Sequence, residues 1–228
     1  MTKKAIIFDL MGTLCHATDP EAIIIEKYGL KKEDYSRIES IVCGDKFIGW
    51  DDYLSKLIKE IGIESTKNNK LSLKKIIEDE RAKAILFPET KDVLRNLKEE
   101  GYSIGLVSNA YPITRNLLES KNLVQFFHKE GIFLSYELGI VKPNPEIFKL
   151  CLKKIDATAE KAIMIGDSLR SDIKASKAAT NRKIGGILIS SNPNEETKDY
   201  CKNNNCIITQ KLNEVPYAIK EYFKNYQS

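Results

Sequence analysis

The stretch Lys4-Ala5-Ile6-Ile7-Phe8-Asp9-Leu10-Met11-Gly12-Thr13 decides the fold. Ala5 to Phe8 form a continuous apolar run, stopped by Asp9 and Gly12. A run this short and uniformly apolar suits a strand buried on both faces, as in a parallel sheet. The same pattern recurs at 103–107, 162–165 and 186–189, and more weakly at 206–209. Amphipathic stretches at 90–100, 113–121, 145–154, 171–178 and 214–223 alternate with these runs. Alternating strands and helices predict an α/β protein with a doubly wound parallel sheet.

Residues 16–84 interrupt the alternation. They carry helical patterns only, at 20–28, 32–42, 50–61 and 71–83, with Gly29, Gly44, Gly49 and the polar run 65–70 as breaks. The expected organisation is therefore a core of residues 1–15 and 85–228 with a helical cap at 16–84. The run 67–70 and the stretch between Cys201 and Cys206 read as solvated turns.

The 228 residues are 42% hydrophobic and 30% charged, the proportions of a globular chain that buries its own core. A net charge of +4 is small and dispersed, so it points to no nucleic acid and no membrane surface. Between residues 16 and 84 the chain has 13 basic and 14 acidic residues, which favours no polyanionic ligand. No apolar run reaches the ~20 residues of a membrane helix or the ~7–15 of a signal peptide. The five cysteines (15, 43, 151, 201, 206) are odd in number and lack zinc spacing, as expected of reduced thiols in a cytoplasmic protein.

Ligands of a doubly wound sheet bind at the carboxyl ends of its strands. The strand runs there deliver Asp9, then Ser108-Asn109, then Gly166-Asp167 with Asp172 shortly after. A carboxylate leaving a buried strand is costly unless it is paired or bound to a cation. Two from different strands suggest a shared hard cation, most naturally Mg2+. Lys142, ahead of a helix in Val141-Lys142-Pro143, brings a positive charge to the same end.

Taken in order, Asp9-Leu10-Met11-Gly12-Thr13, Ser108, Lys142 and Gly166-Asp167 with Asp172 resemble the four motifs of the haloacid dehalogenase superfamily. The likeness spans nearly the whole chain and implies a Rossmann-like core with its cap between motifs one and two. It implies a Mg2+-dependent hydrolase of a small phosphorylated metabolite. Asp9 would be the nucleophile forming an aspartyl-phosphate, and Ser108, Asn109 and Lys142 would hold the phosphoryl group. Lys142 would also cancel the repulsion between nucleophile and phosphate. The metal would sit on Asp9, Asp167, the backbone carbonyl of Met11, and Asp172, the last serving as ligand or as a support for Lys142.

Met11 departs from the pattern. Phosphatases of this superfamily carry a second aspartate there, which protonates the leaving group and then activates water; a thioether does neither. Three reactions fit the departure: a phosphatase selective for leaving groups that need no proton, a metal-independent 2-haloacid dehalogenase, and a phosphonate hydrolase using a cap lysine such as Lys27, Lys46 or Lys56. A phosphate-ester-binding protein of weak turnover is the non-enzymatic alternative. His16 is either a substitute acid or a hinge residue. Phe47 and Trp50, beside Gly44 and Gly49, are expected on a substrate-facing loop.

Overall fold

The computed structural model describes residues 3–31, 33–35, 38, 46, 47 and 49–226. Six parallel strands make the central sheet: β1 (Ala5–Phe8), β4 (Ser103–Ser108), β5 (Ile132–Leu134), β6 (Ala162–Gly166), β7 (Gly185–Ile189) and β8 (Cys206–Thr209), in the order β5-β4-β1-β6-β7-β8. β1 pairs with both β4 and β6, Phe8 lying opposite Leu106 and Ile165. From β1 the chain winds first towards β5 and later towards β8, so the order reverses at β1. That reversal opens a crevice at the carboxyl edge, where Asp9, Ser108 and Asp167 leave the sheet.

The buried runs pack on both faces as expected. Ile6 and Phe8 point into one layer with Val93, Leu94 and Leu97 of α4 (Thr90–Glu99) and Val215 and Ile219 of α10 (Val215–Tyr226). Ala5 and Ile7 point into the other, against Ile147, Phe148 and Cys151 of α7 (Glu146–Lys154). Full burial of each such aliphatic or aromatic side chain contributes about 1.5–3 kcal/mol. β5 at the sheet edge was not expected: three residues, Ile132-Phe133-Leu134, are too short a run to read as a strand without its partner β4. Helix α9 (Glu195–Asn203) takes in Cys201, so only part of the expected 201–206 turn is a turn.

Between β1 and β4 the chain first forms a two-residue antiparallel ladder, β2 (Cys15–His16) with β3 (Ile85–Leu86). All that lies between these strands leaves and returns through that ladder. It includes α1 (Pro20–Tyr28), α2 (Trp50–Ile61) and α3 (Lys67–Ala82). The helical pattern at 32–42, Gly44 and Cys43 fall almost wholly outside the described residues. The helical segment has its own apolar core of Ile24, Leu54, Leu57, Ile58, Leu73 and Ile77, which Tyr111 from the loop after β4 also enters.

One local expectation is corrected. The polar run 67–70 is no turn but the first turn of α3, because Thr66 caps it, its Oγ1 accepting from Asn69 N at 3.1 Å. Phe47 and Trp50, expected on a substrate-facing loop, both pack edge-on against Tyr53, with ring centroids 5.0 and 5.9 Å away.

Candidate active site

Asp9 follows β1 directly, and its N–H donates to Ile165 O of β6 at 2.9 Å. The loop beyond wraps round one carbonyl, Leu10 O, which accepts from the N–H groups of Thr13, Leu14 and Cys15. Gly12 takes φ +79°, and a Cβ there would collide with the Asp167 carboxylate, so this position needs glycine on both counts. Thr13 Oγ1 donates to Asp167 Oδ1 at 3.3 Å and ties the motif to the end of β6.

Lys142 is the centre of the site. Its Nζ lies 2.6 Å from Asp9 Oδ1 and 2.6 Å from Asp172 Oδ1, and all three side chains are buried. Burial alone would lower the Lys142 pKa, but the charges of Asp172 and Asp9 outweigh it and hold the ammonium protonated. The lysine backbone is clamped by Asn109, whose Oδ1 accepts from Lys142 N at 2.8 Å and whose Nδ2 donates to Lys142 O at 3.1 Å. Asn109, expected among the phosphate-binding groups, thus spends its side chain on positioning Lys142. Ser108 ends β4, buried and lining the same cavity.

Asp172 sits in a wide turn, Leu169–Lys174, where the sequence reads as an ordinary helix from 171. Ser168 O accepts from both Asp172 N (3.0 Å) and Ile173 N (3.3 Å), the second bond closing a π-type turn. The widening lets Asp172 Oδ2 accept from Ser168 N at 3.0 Å while Oδ1 meets Lys142. A Cβ on Gly166 would strike that carboxylate, which explains the glycine at the end of β6.

Ligand oxygens of Asp9, Asp167 and Asp172 all lie within 4.8 Å of one another. Asp167 opens towards solvent, yet the protein packed round its carboxyl and the charge of Asp9 raise its pKa, with Thr13 and Lys142 opposing. Three clustered carboxylates and one ammonium leave negative charge in excess, and the donors are all hard oxygens. The set fits a divalent cation such as Mg2+.

Asp9, Ser108, Lys142 and Asp172 line a cavity of about 210 Å³ that also meets Met11 and, from the helical segment, Glu21 and Arg81, while Asp167 lines a second concavity of about 500 Å³ with Gly12 and Thr13. A further concavity of about 480 Å³ opens at the opposite edge of the sheet, round Tyr102 and Phe126, far from any such cluster. His16 is exposed in β2, paired with Ile85, and does not line the cavity. Nor do Lys27, Lys46 or Lys56. Reading from sequence overlooked Thr13, Ser168, Glu21 and Arg81; only Thr13, inside the first motif, carried a local signal.

The sequence model of the haloacid dehalogenase-like hydrolases matches residues 3–180, which contain every one of these groups. The chain belongs to that family. A glyceraldehyde 3-phosphate phosphatase of Methanothermobacter thermautotrophicus is 28% identical to this hydrolase over 220 residues, 90% of this chain and 94% of that one. A phosphoglycolate phosphatase of Pectobacterium atrosepticum is 26% identical over 188 residues, 80% and 79% of the two chains. The crystal structure of a 2-haloacid dehalogenase from Pseudomonas syringae matches with a TM-score of 0.68 at 18% identity, over 97% of this hydrolase and all of that chain, and shares its fold. Among the described residues no helix is long and apolar enough to cross a membrane.

Proposed function

We propose that this hydrolase is a Mg2+-dependent phosphomonoesterase of a small phosphorylated metabolite, with Asp9 as nucleophile. The observation that carries the reading is the buried Asp9–Lys142–Asp172 array with Asp167 beside it at the mouth of a cavity. A halide-displacing site has no use for three clustered carboxylates, whereas phosphoryl transfer needs cationic charge against the phosphate. The full-length relatives named as phosphatases support the same chemistry.

Asp9, Asp167 and the carbonyl of Met11 would hold the cation, with Asp172 at its edge. When bound, it supplies charge stabilisation for the transferring phosphoryl group. Asp9 attacks phosphorus, an acyl–phosphate bond forms, and the ester oxygen departs with its electron pair. Lys142 stays protonated throughout and stabilises the equatorial oxygens, while Ser108 positions them. Water then cleaves the aspartyl-phosphate and restores Asp9. Met11 offers no proton to the departing oxygen, so the enzyme favours leaving groups that are stable as anions.

Residues 16–84 would act as a cap on the core of 1–15 and 85–228, moving on the β2–β3 ladder and excluding water when shut. Phosphate release from p-nitrophenyl phosphate and acetyl phosphate, with Mg2+ and with EDTA, tests the reaction. Release is expected with Mg2+ only and is lost in Asp9→Asn. Chloride release from 2-chloropropionate in EDTA would replace this reading with the dehalogenase.

A further inference from the structure

The helical segment brings to the cavity that Asp9 lines a cation that phosphoryl transfer does not use. Arg81 lies in the last turn of α3, only 8% exposed, with its Cζ 4.7 Å from the centroid of the Tyr111 ring. Its Nε is buried with no hydrogen-bond partner, and among the described residues its guanidinium joins no ion pair.

The acids nearby form no ion pair with it. Glu80 is held by Thr18 and Lys83. Asp19 accepts from the Tyr35 hydroxyl at 3.0 Å. Glu21 Oε1 accepts from the Tyr111 hydroxyl, its Oε2 is buried without a partner, and its burial favours the neutral acid despite the nearby Arg81 charge. A guanidinium does not shed its proton, so a buried one without a counter-ion is costly until an anion arrives. Its planar fork of donors matches a carboxylate with two parallel hydrogen bonds.

Lys142 and Ser108 take the phosphoryl end at the floor, and about 210 Å³ leaves room for a chain of only a few atoms. We propose that Arg81 binds a carboxylate at the far end of the substrate. The substrate class is then a short phosphorylated carboxylic acid, and Arg81 is the residue that selects it. This inference rests on the phosphatase reading and narrows it. Arg81 lies over the Tyr111 ring, and Tyr111 follows Ser108-Asn109 in the chain, so one loop carries both the serine at the phosphoryl end and the ring under the guanidinium.

Two esters of similar size separate the possibilities: phosphoglycolate, which has a carboxylate, and glyceraldehyde 3-phosphate, which does not. Their kcat/KM values are measured with Mg2+ for the wild type, Arg81→Lys and Arg81→Gln. The wild type should prefer phosphoglycolate by tenfold or more. Arg81→Gln should bring the ratio close to one through a loss of about a hundredfold on phosphoglycolate, the scale of a broken buried charge pair. Arg81→Lys, with charge but no fork, should lie between.

Equal use of both esters by the wild type overturns the inference and leaves the phosphatase reading intact. So does an Arg81→Gln enzyme that loses both activities in parallel, because Arg81 would then touch the phosphoryl group itself. Should Arg81→Gln fail to fold, the wild-type ratio and the lysine variant decide. No phosphate release by the wild type from any ester overturns the proposed function and this inference with it.

Discussion

A lysine between two aspartates makes the burial of all three groups tolerable, because each carboxyl group is met at 2.6 Å by the same ammonium. The arrangement fixes Asp9 at the cavity, and its own motif supplies no acid for a departing alkoxide. Met11, two residues on, holds the place where an acid would stand and packs its sulfur against Cys15 at 3.4 Å. Acid–base help is worth ~10²–10⁴ in rate for leaving groups that need it. Met11→Asp should therefore raise kcat on an alkyl phosphate by about tenfold or more and change p-nitrophenyl phosphate little, since that leaving group departs as an anion. Equal gains on both esters would show that the wild type lacks something other than a proton.

The elements show where reading from sequence succeeds and where it fails. β1, β4, β6 and β7 were legible because burial on both faces leaves an uninterrupted apolar run, and Asp9 and Asp167 were legible because they follow such runs, with Asp172 in the same motif as Asp167 and Lys142 ahead of a helix. β5 was not, since an edge strand of three residues is defined by the neighbour it pairs with. The wide turn at 169–174 was not, because in it Asp172 meets Lys142, thirty residues away, as well as Ser168 beside it. The first turn of α3 could have been read: Thr66 three residues before Asn69 is a helix-start signal that the surrounding lysines and asparagines obscured. Thr66→Ala removes an acceptor from the Asn69 N–H and should cost about 1 kcal/mol in urea unfolding. A loss below 0.3 kcal/mol, on the order of an exposed-surface change, would mean the cap contributes nothing. Arg81 and Glu21 were invisible for a different reason: the cavity they share is assembled from a helical segment and a loop far apart in sequence.

On the scale of the whole molecule the site couples charge to folding. Burial pushes the Asp172 carboxyl up to about 7, Lys142 opposing and Asp9 adding to the rise. An unfolded aspartate titrates near ~3.9. Between about pH 4 and pH 7 the metal-free native protein therefore keeps a proton that the unfolded chain has released. Stability falls with rising pH wherever the native state binds more protons. The Asp172 contribution is then complete below about pH 4 and lost as pH climbs through about 7. A divalent cation held by these carboxylates would reverse the slope, since it would bind them only when they are ionised. Mass action at a hundred times Kd adds about 2.7 kcal/mol, or roughly 5–10 °C in Tm for a chain of this size. Melts in EDTA and in excess Mg2+ at pH 5.5, 6.5 and 7.5 should separate progressively, the gap being smallest at pH 5.5. Asp167→Asn should close it at every pH, because it removes one of the three carboxylates that would hold the cation. A gap that ignores pH, or that survives in Asp167→Asn, would place the metal elsewhere on the molecule and detach it from the Asp9 array.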